Sequence, residues 1–416
     1  MPSDRLAGLR IVALLAAMTA LSQFFRVSNG VIAPELVRDL DLSAEMLGLA
    51  GSAFFIALTV MQIPVGMMFD RFGVRRTVGW LTALAVLGAL VNAVAETGAM
   101  LFAARFVIGI GCAGNFMGAV LVTSRWFSGE RYTMVLSWIF ALSQIGVLMG
   151  ATPLAAASEF YGWRAAFVIA ALITALAGVL FVILVRDRAP GDEFGASAPE
   201  SVAQILSGIV EVWRIPGLLR VFTMHLFVYA SMVTVLGIWA GPYLHDVHGL
   251  AALARGNVLL AMGAAQVAGI LAYGPMDRMF NSRKRVVIAG TLATLTVFAL
   301  LAAIPKPPVW LAALLLVLLC FVTAYGIVVV AHGRSLFPDR LAGRGVTTVN
   351  LAQAIGSVVL PIATGVIVGA FPATGGAAGA AAPEIAYRLV FAFIGCMLAL
   401  CLLVYLGAED SKPRGD

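Results

Sequence analysis

The chain is predicted to be an all-α membrane protein of twelve transmembrane helices, built as two six-helix parallel pseudo-repeats with both termini cytosolic. Three observations carry this. Hydrophobic residues fill 61% of the 416 positions and charged residues 12%, whereas a soluble domain is nearer half apolar and a quarter charged. Apolar stretches long enough to cross a ~30 Å hydrocarbon core recur along the whole chain. Landmark residues then return at a spacing of 208 positions, as Pro34 and Pro242 do.

The predicted spans are 10–36, 45–68, 77–95, 98–124, 132–156 and 164–186, then 218–244, 253–276, 286–304, 309–333, 345–371 and 385–407. The first begins behind Arg5 and Arg10. It runs apolar from Ile11 to about Leu36, too long for a signal-peptide core, and is read as a retained helix. Between the sixth and seventh spans lies the longest polar segment, which divides the chain into 1–186, a central loop 187–217 and 218–416. That loop opens on a Pro/Gly-rich charged run. It then carries Val202, Ile205, Leu206, Ile209, Val210 and Trp213 at helical spacing, the pattern of an amphipathic helix lying on the membrane surface or on the protein's own underside.

Orientation follows from charge. With both termini in the cytosol, 20 of the 27 Lys and Arg residues fall on the cytosolic side. Arg38, Arg164, Arg255, Lys306 and Arg388 fall outside, while Arg26 and Arg105 sit within spans. Such a bias over short loops is the positive-inside signature. The net charge of +6 is therefore topological; the basic residues come in twos and threes and do not form a nucleic-acid face. The four cysteines, Cys112, Cys320, Cys396 and Cys401, lie in apolar runs without zinc-site spacing. No cofactor or metal site is expected.

Sliding the second half back by 208 residues aligns Pro34 with Pro242, Gly48 with Gly256 and Gly66 with Gly274. Asp70-Arg71 and Asp277-Arg278 follow, then Arg75-Arg76 and Arg283-Lys284-Arg285. Parallel six-helix repeats with a solute site between them are one established transporter plan. The segment Gly66-Met67-Met68-Phe69-Asp70-Arg71-Phe72-Gly73-Val74-Arg75-Arg76 closely resembles the loop-2/3 signature of the major facilitator superfamily. Arg105-Phe106-Val107-Ile108-Gly109-Ile110-Gly111-Cys112-Ala113-Gly114 resembles that family's Arg-then-Gly pattern in the fourth span. The likeness covers the whole chain. It implies a secondary transporter working by alternating access, with spans 1, 4, 7 and 10 lining a central cavity. It also makes Gly66, Asp70, Arg71, Gly73, Arg75 and Arg76, with Asp277 and Arg278 in the second repeat, gate components. Asp70 would accept hydrogen bonds from backbone donors or from an Arg across the interface of the repeats, and Gly73 would allow the tight turn.

Two apparent motifs are discounted. Gly109-Ile110-Gly111-Cys112-Ala113-Gly114 fits the dinucleotide-binding string but lies inside an apolar helix, not between strand and helix; small residues there, as at Gly146/Gly150 and Gly365/Gly369, allow close helix contact. The fifth-span stretch Gly146 to Pro153 has its proline displaced from the second glycine, a departure from the family's drug–proton antiporter signature.

Ionisable groups inside a bilayer are costly and usually face a cavity. Arg26 lies in the first span with Gln23 at i−3 and Asn29 at i+3, one polar stripe. Arg105 lies in the fourth. A guanidinium fork suits a carboxylate or phosphate, which makes an organic anion the expected solute; the competing reading has Arg105 bonded to first-span oxygens. Tyr229, Trp239 and Tyr325 are further cavity candidates, with Gln144, Gln266, Asn350 and Gln353. Glu35 at the outer end of the first span is a proton carrier, an outer-gate partner or an interfacial cap, and His225 a second proton-coupling candidate beside His332. The expected function is uptake symport or exchange of a small organic anion by a monomer in the cytoplasmic membrane, with a coupling proton or ion and lipid as its other partners. Proton-coupled efflux of amphipathic compounds is the alternative. A membrane enzyme lacks a catalytic cluster, and a non-transporting sensor would carry a soluble appendage.

Overall fold

The computed structural model describes residues 2–127, 130–187, 211–338, 341–371 and 381–412. They form helices and turns, with no strand among them. The expected amphipathic helix falls largely on 202–210 and so lies outside the described residues; its end, at Val212, packs on Leu218, Phe337, Leu341 and Val349.

Eleven apolar helical stretches among the described residues are long enough to cross a membrane. In order they are α1 Gly8–Leu40, α2 Ala44–Phe72, α3 Val74–Ala93, α4 Gly98–Trp126 and α5 Met134–Leu184. Then follow α6 Leu218–Asp246, α7 Ala252–Met279, α8 Arg283–Ala303, α9 Val309–Ser335, α10 Thr348–Gly369 and α11 Glu384–Tyr405. The α5 stretch is 51 residues long, which if straight would reach about 77 Å at 1.5 Å per residue, more than twice a bilayer core. It is broken at Gly162, whose φ of 81° interrupts the helix. The outgoing limb passes Ala20 and Val27 of α1 through Gly146 and Gly150. The returning limb meets Thr82 of α3 through Gly178. Helix was not expected over 157–163. It persists there because Leu154, Ala155 and Ser158 still face inward, while Phe160 and Tyr161 stay exposed like aromatics at a bilayer interface.

Both termini lie at one end of the bundle. Gly8 abuts Phe127 there, and the Arg283 N–H donates to the Ser411 carbonyl. The α2–α3 connection is at the same end and is a single residue, Gly73, with φ 81°. Behind it, Asp187 accepts from the Arg75 N–H at 2.7 Å. The second half repeats the device: Asp410 accepts from the Lys284 N–H at 3.0 Å and from the Ser282 hydroxyl. In each half a carboxylate beyond the last helix thus caps the N-terminus of the third, where helix N–H groups lack partners.

At the far end, the helices before residue 187 and those after 211 pack backbone to backbone. Gly30 and Gly241 bring α1 against α6. Gly48 and Gly365 bring α2 against α10, and the Ser52 hydroxyl donates to the Val358 carbonyl at 3.0 Å. Thr152 and Asn257 join α5 to α7 at 2.9 Å. Toward the termini these contacts give out: Val60, Ile63 and Met67 on α2, Trp138 on α5 and Leu271 on α7 are exposed. The bundle is closed at the far end and parted at the end that carries the termini.

Candidate functional site

A cavity of about 170 Å³ lies between the two sets of helices. Its polar lining is Gln23 and Arg26 of α1, Gln144 of α5, His225 and Tyr229 of α6, Gln266 of α7, Thr323 of α9 and Gln353 of α10. Helical periodicity places Gln23 and Arg26 together on one face. The Tyr229 hydroxyl accepts from Arg26 Nη1 at 2.7 Å, across the two sets. The same guanidinium lies 5.7 Å from the Phe55 ring centre and 5.8 Å from that of Tyr229, within cation–π range. Arg26 Nε has no hydrogen-bond partner, nor has Gln266 Oε1. His225 is 2% exposed, and neither ring nitrogen has a partner of ordinary geometry, although the Asn350 and Gln353 amides lie beside it. The lining thus combines one permanent cation with unfilled donors and acceptors, a set suited to an anionic, hydrogen-bonding solute.

The other sequence candidates lie elsewhere. Arg105 is 1% exposed and turned away from the cavity: its Nη1 donates to the Phe25 carbonyl at 2.6 Å, and its guanidinium sits 5.4 Å from the Phe54 ring centre. Of the two readings of Arg105, the geometry matches the one that ties it to α1, through Phe25 and Ser28, and it does not line the cavity. Asn29 is buried and does not line the cavity. Trp239 donates from Nε1 to the Thr364 hydroxyl at 2.8 Å and edges a separate far-end recess of about 250 Å³, with Pro34, Glu45, Asp246 and Tyr387. Tyr325, fully buried, packs on Gly290 and Tyr273. His332 sits near the termini, with Nε2 donating to the Glu409 carbonyl at 3.0 Å, so that Nδ1 accepts from the Tyr405 hydroxyl at 2.6 Å.

Glu35 closes the far end. Arg255, 2% exposed, donates from Nη2 to Glu35 and to the Val31 carbonyl, joining α7 to α1. Charge counting put Arg255 on the outer side, at the start of the span 253–276; it stands one turn inside the helix that starts at Ala252 and faces α1. Nothing in the sequence pairs it with Glu35. Phe55 was missed as well, since an aromatic in an apolar span carries no signal of its facing a cation.

At the opposite end, Asp70 and Arg71 are exposed, and a methyl group added at Gly66 would meet no atom within 4 Å. Arg71 lies over the Phe72 ring, Arg75 donates to the Val182 carbonyl, Arg76 is exposed, and Arg278 is exposed beside a buried Asp277 that accepts from Arg283 at 3.2 Å. Neither Asp70 nor Arg71 forms an ion pair across the two sets in this arrangement, among the described residues.

Residues 14–361 match the family profile of the Major Facilitator Superfamily. A putative tartrate transporter of Agrobacterium vitis is 24% identical over 346 residues, 73% of this chain and 78% of the relative. An MFS-type efflux pump of Mycolicibacterium smegmatis is 29% identical over 301 residues, 70% and 68% of the two chains. In fold, the chain is similar to a bacterial homologue of the human lysosomal transporter Spinster, crystallised inward-facing and unoccupied, with TM-score 0.80, 17% identity and 95% of each chain covered. A cavity between two helix sets, the Gly73 turn and its repeated carboxylate cap, and a family match across most of the sequence lead to one assignment: this chain is a multi-pass membrane transporter of the Major Facilitator Superfamily, not an enzyme.

Proposed function

We propose that the protein moves a small organic anion across the cytoplasmic membrane by alternating access, with Arg26 as the anion's anchor. The observation that carries this reading is the Arg26 guanidinium, which faces the cavity from α1, held by Tyr229 of α6, with no carboxylate partner. A fork of N–H donors in a low-dielectric cavity favours a carboxylate or phosphate and disfavours a cation. The relative named for tartrate supports the same class.

In this reading α5 counts as two passes, giving twelve, and residues 1–186 and 218–416 act as rigid halves around the cavity. The Lys/Arg bias puts both termini in the cytosol, so a bundle parted at that end faces inward. The loop of Gly66, Asp70, Arg71, Gly73, Arg75 and Arg76, with Asp277 and Arg278, latches the halves in the opposite state. Glu35 with Arg255 holds this one. The protein works as a monomer.

Proteoliposome uptake tests it. Arg26→Lys weakens transport and Arg26→Ala abolishes it while the protein still folds; wild-type transport by Arg26→Ala removes the residue from the site. Proton-linked efflux of amphipathic compounds is the second reading, favoured by the likeness to the mycobacterial efflux pump. A thermal-shift screen with carboxylates, phosphates, peptides and cationic drugs separates the two, because only the first requires stabilisation by anions.

A further inference from the structure

We infer that the transport mode is obligate exchange, one anion for another, and not net proton-driven uptake; this rests on the organic-anion reading above. The ground is charge balance in the cavity. Among its lining residues Arg26 is the permanent charge, and no Asp or Glu lines the cavity. Its compensation is a phenol oxygen at 2.7 Å and the faces of two rings. The nearest carboxylate along α1, Glu35, is already committed to Arg255 at the far end.

A carrier must pass through a state closed at both ends. Loaded, that state holds guanidinium and anion as a hydrogen-bonded pair. Empty, it strips water from a lone cation, and an unpaired charge in low dielectric is expensive. A carboxylate in the same position would escape by taking up a proton. A guanidinium has no such exit, because it stays protonated at any physiological pH. Protonating His225, the other titratable nitrogen group in the lining, adds positive charge and worsens the balance. The empty return is therefore the slow limb, by roughly a hundredfold or more, and an anion bound on the return side removes the penalty.

Gln23 supplies the counter-test. It lines the cavity one turn before Arg26, so Gln23→Glu, nearly isosteric, places a carboxylate at i−3 to the cation. The built-in ion pair relieves the empty return.

The experiment uses proteoliposomes loaded with labelled tartrate or labelled glycerate, with membrane potential clamped and no pH gradient. Efflux is followed into anion-free buffer and into buffer holding the same unlabelled anion. Exchange predicts slow efflux into anion-free buffer and acceleration by at least about tenfold with external anion; in Gln23→Glu the two rates converge or transport is lost through competition for Arg26. Equal wild-type rates in the two buffers overturn the exchange inference and leave the organic-anion reading standing. Absence of protein-dependent efflux of either anion, together with stabilisation by neutral or cationic compounds alone, overturns both.

Discussion

Glu35 and Arg255, 220 positions apart in the chain, meet at the far end of the bundle in a buried ion pair that also draws in the Val31 carbonyl. Glu35 Oε2 and Arg255 Nε are buried without partners, so the pair is incompletely compensated and each charge depends on the other. Breaking a buried pair from one side costs about 3–5 kcal/mol, whereas replacing both members by apolar residues is often neutral. Glu35 keeps 20% side-chain exposure, which moves the cost toward the lower figure. Arg255→Met is expected to lower the thermal midpoint of the purified protein clearly, and the double variant Glu35→Met/Arg255→Met to recover most of it. A double variant as unstable as the sum of the singles would show that the two charges are not coupled.

Tyr229 gives a finer test of the cavity. Its hydroxyl holds Arg26 Nη1 from the opposite helix set, and a hydrogen bond to a charged group contributes about 1.5–3 kcal/mol at most when both partners are buried. Here the pair is only part-buried, so the lower end applies. Tyr229→Phe should raise KM for the anion by about tenfold, with little change in thermal stability, because the ring still packs beside Arg26. An unchanged KM would mean that the phenol does not position the guanidinium for the solute.

These tests also mark how far the sequence could reach. Helix positions were readable because each span carries its own apolar run, and the Gly73 turn was readable because it stands in the segment Gly66–Arg76 that resembles the family's loop signature. The pairing of Glu35 with Arg255 was not, since it depends on how α1 and α7 rotate against one another. Arg26 and Arg105 pose the same problem: both are arginines in apolar spans, yet one faces the cavity and the other the Phe25 carbonyl. A rotation of a helix about its own axis leaves no trace in hydropathy. The break at Gly162 was legible, since it falls between the expected spans 132–156 and 164–186, whereas the helix on its near side runs on through a segment whose polarity suggested a loop.

Asp410 predicts a pH dependence. Burial works to raise its carboxyl, but the Ser282 hydroxyl, the Lys284 N–H and nearby positive charge outweigh that and hold it below the ordinary aspartate value of 3.8. A carboxyl lowered in the folded state contributes stability that is complete above its unfolded value and is lost as pH falls through the folded one. The thermal midpoint should therefore drop between about pH 4.5 and pH 3 more steeply in wild type than in Asp410→Asn. Above that window Asp410→Asn should be less stable, because the amide keeps one acceptor oxygen but loses the other and the charge. Parallel melting curves across the window would remove Asp410 from the loop's support.

Gly30 fixes how closely the far end can shut. A methyl group there would strike the Leu236 carbonyl and the Gly237 backbone, and one at Gly241 would strike the Gly30 carbonyl. Backbone-to-backbone contact of this kind has no flexible side chain to yield, so Gly30→Ala must push α1 and α6 apart or unwind the wide helical turn Val235–Trp239 that Gly30 rests on. Overpacking of a tight contact typically costs about 1–3 kcal/mol. That cost falls only on the arrangement closed at the far end, so the substitution shifts the population toward the arrangement open there. A thiol reagent confined to the outside should then label Ser52→Cys, which is fully buried at the α2–α10 seam, faster in the Gly30→Ala background than with Gly30 intact. If labelling is equal in the two backgrounds, the α1–α6 crossing is not what closes the far end, and the Glu35–Arg255 pair and the α2–α10 and α5–α7 contacts must hold it.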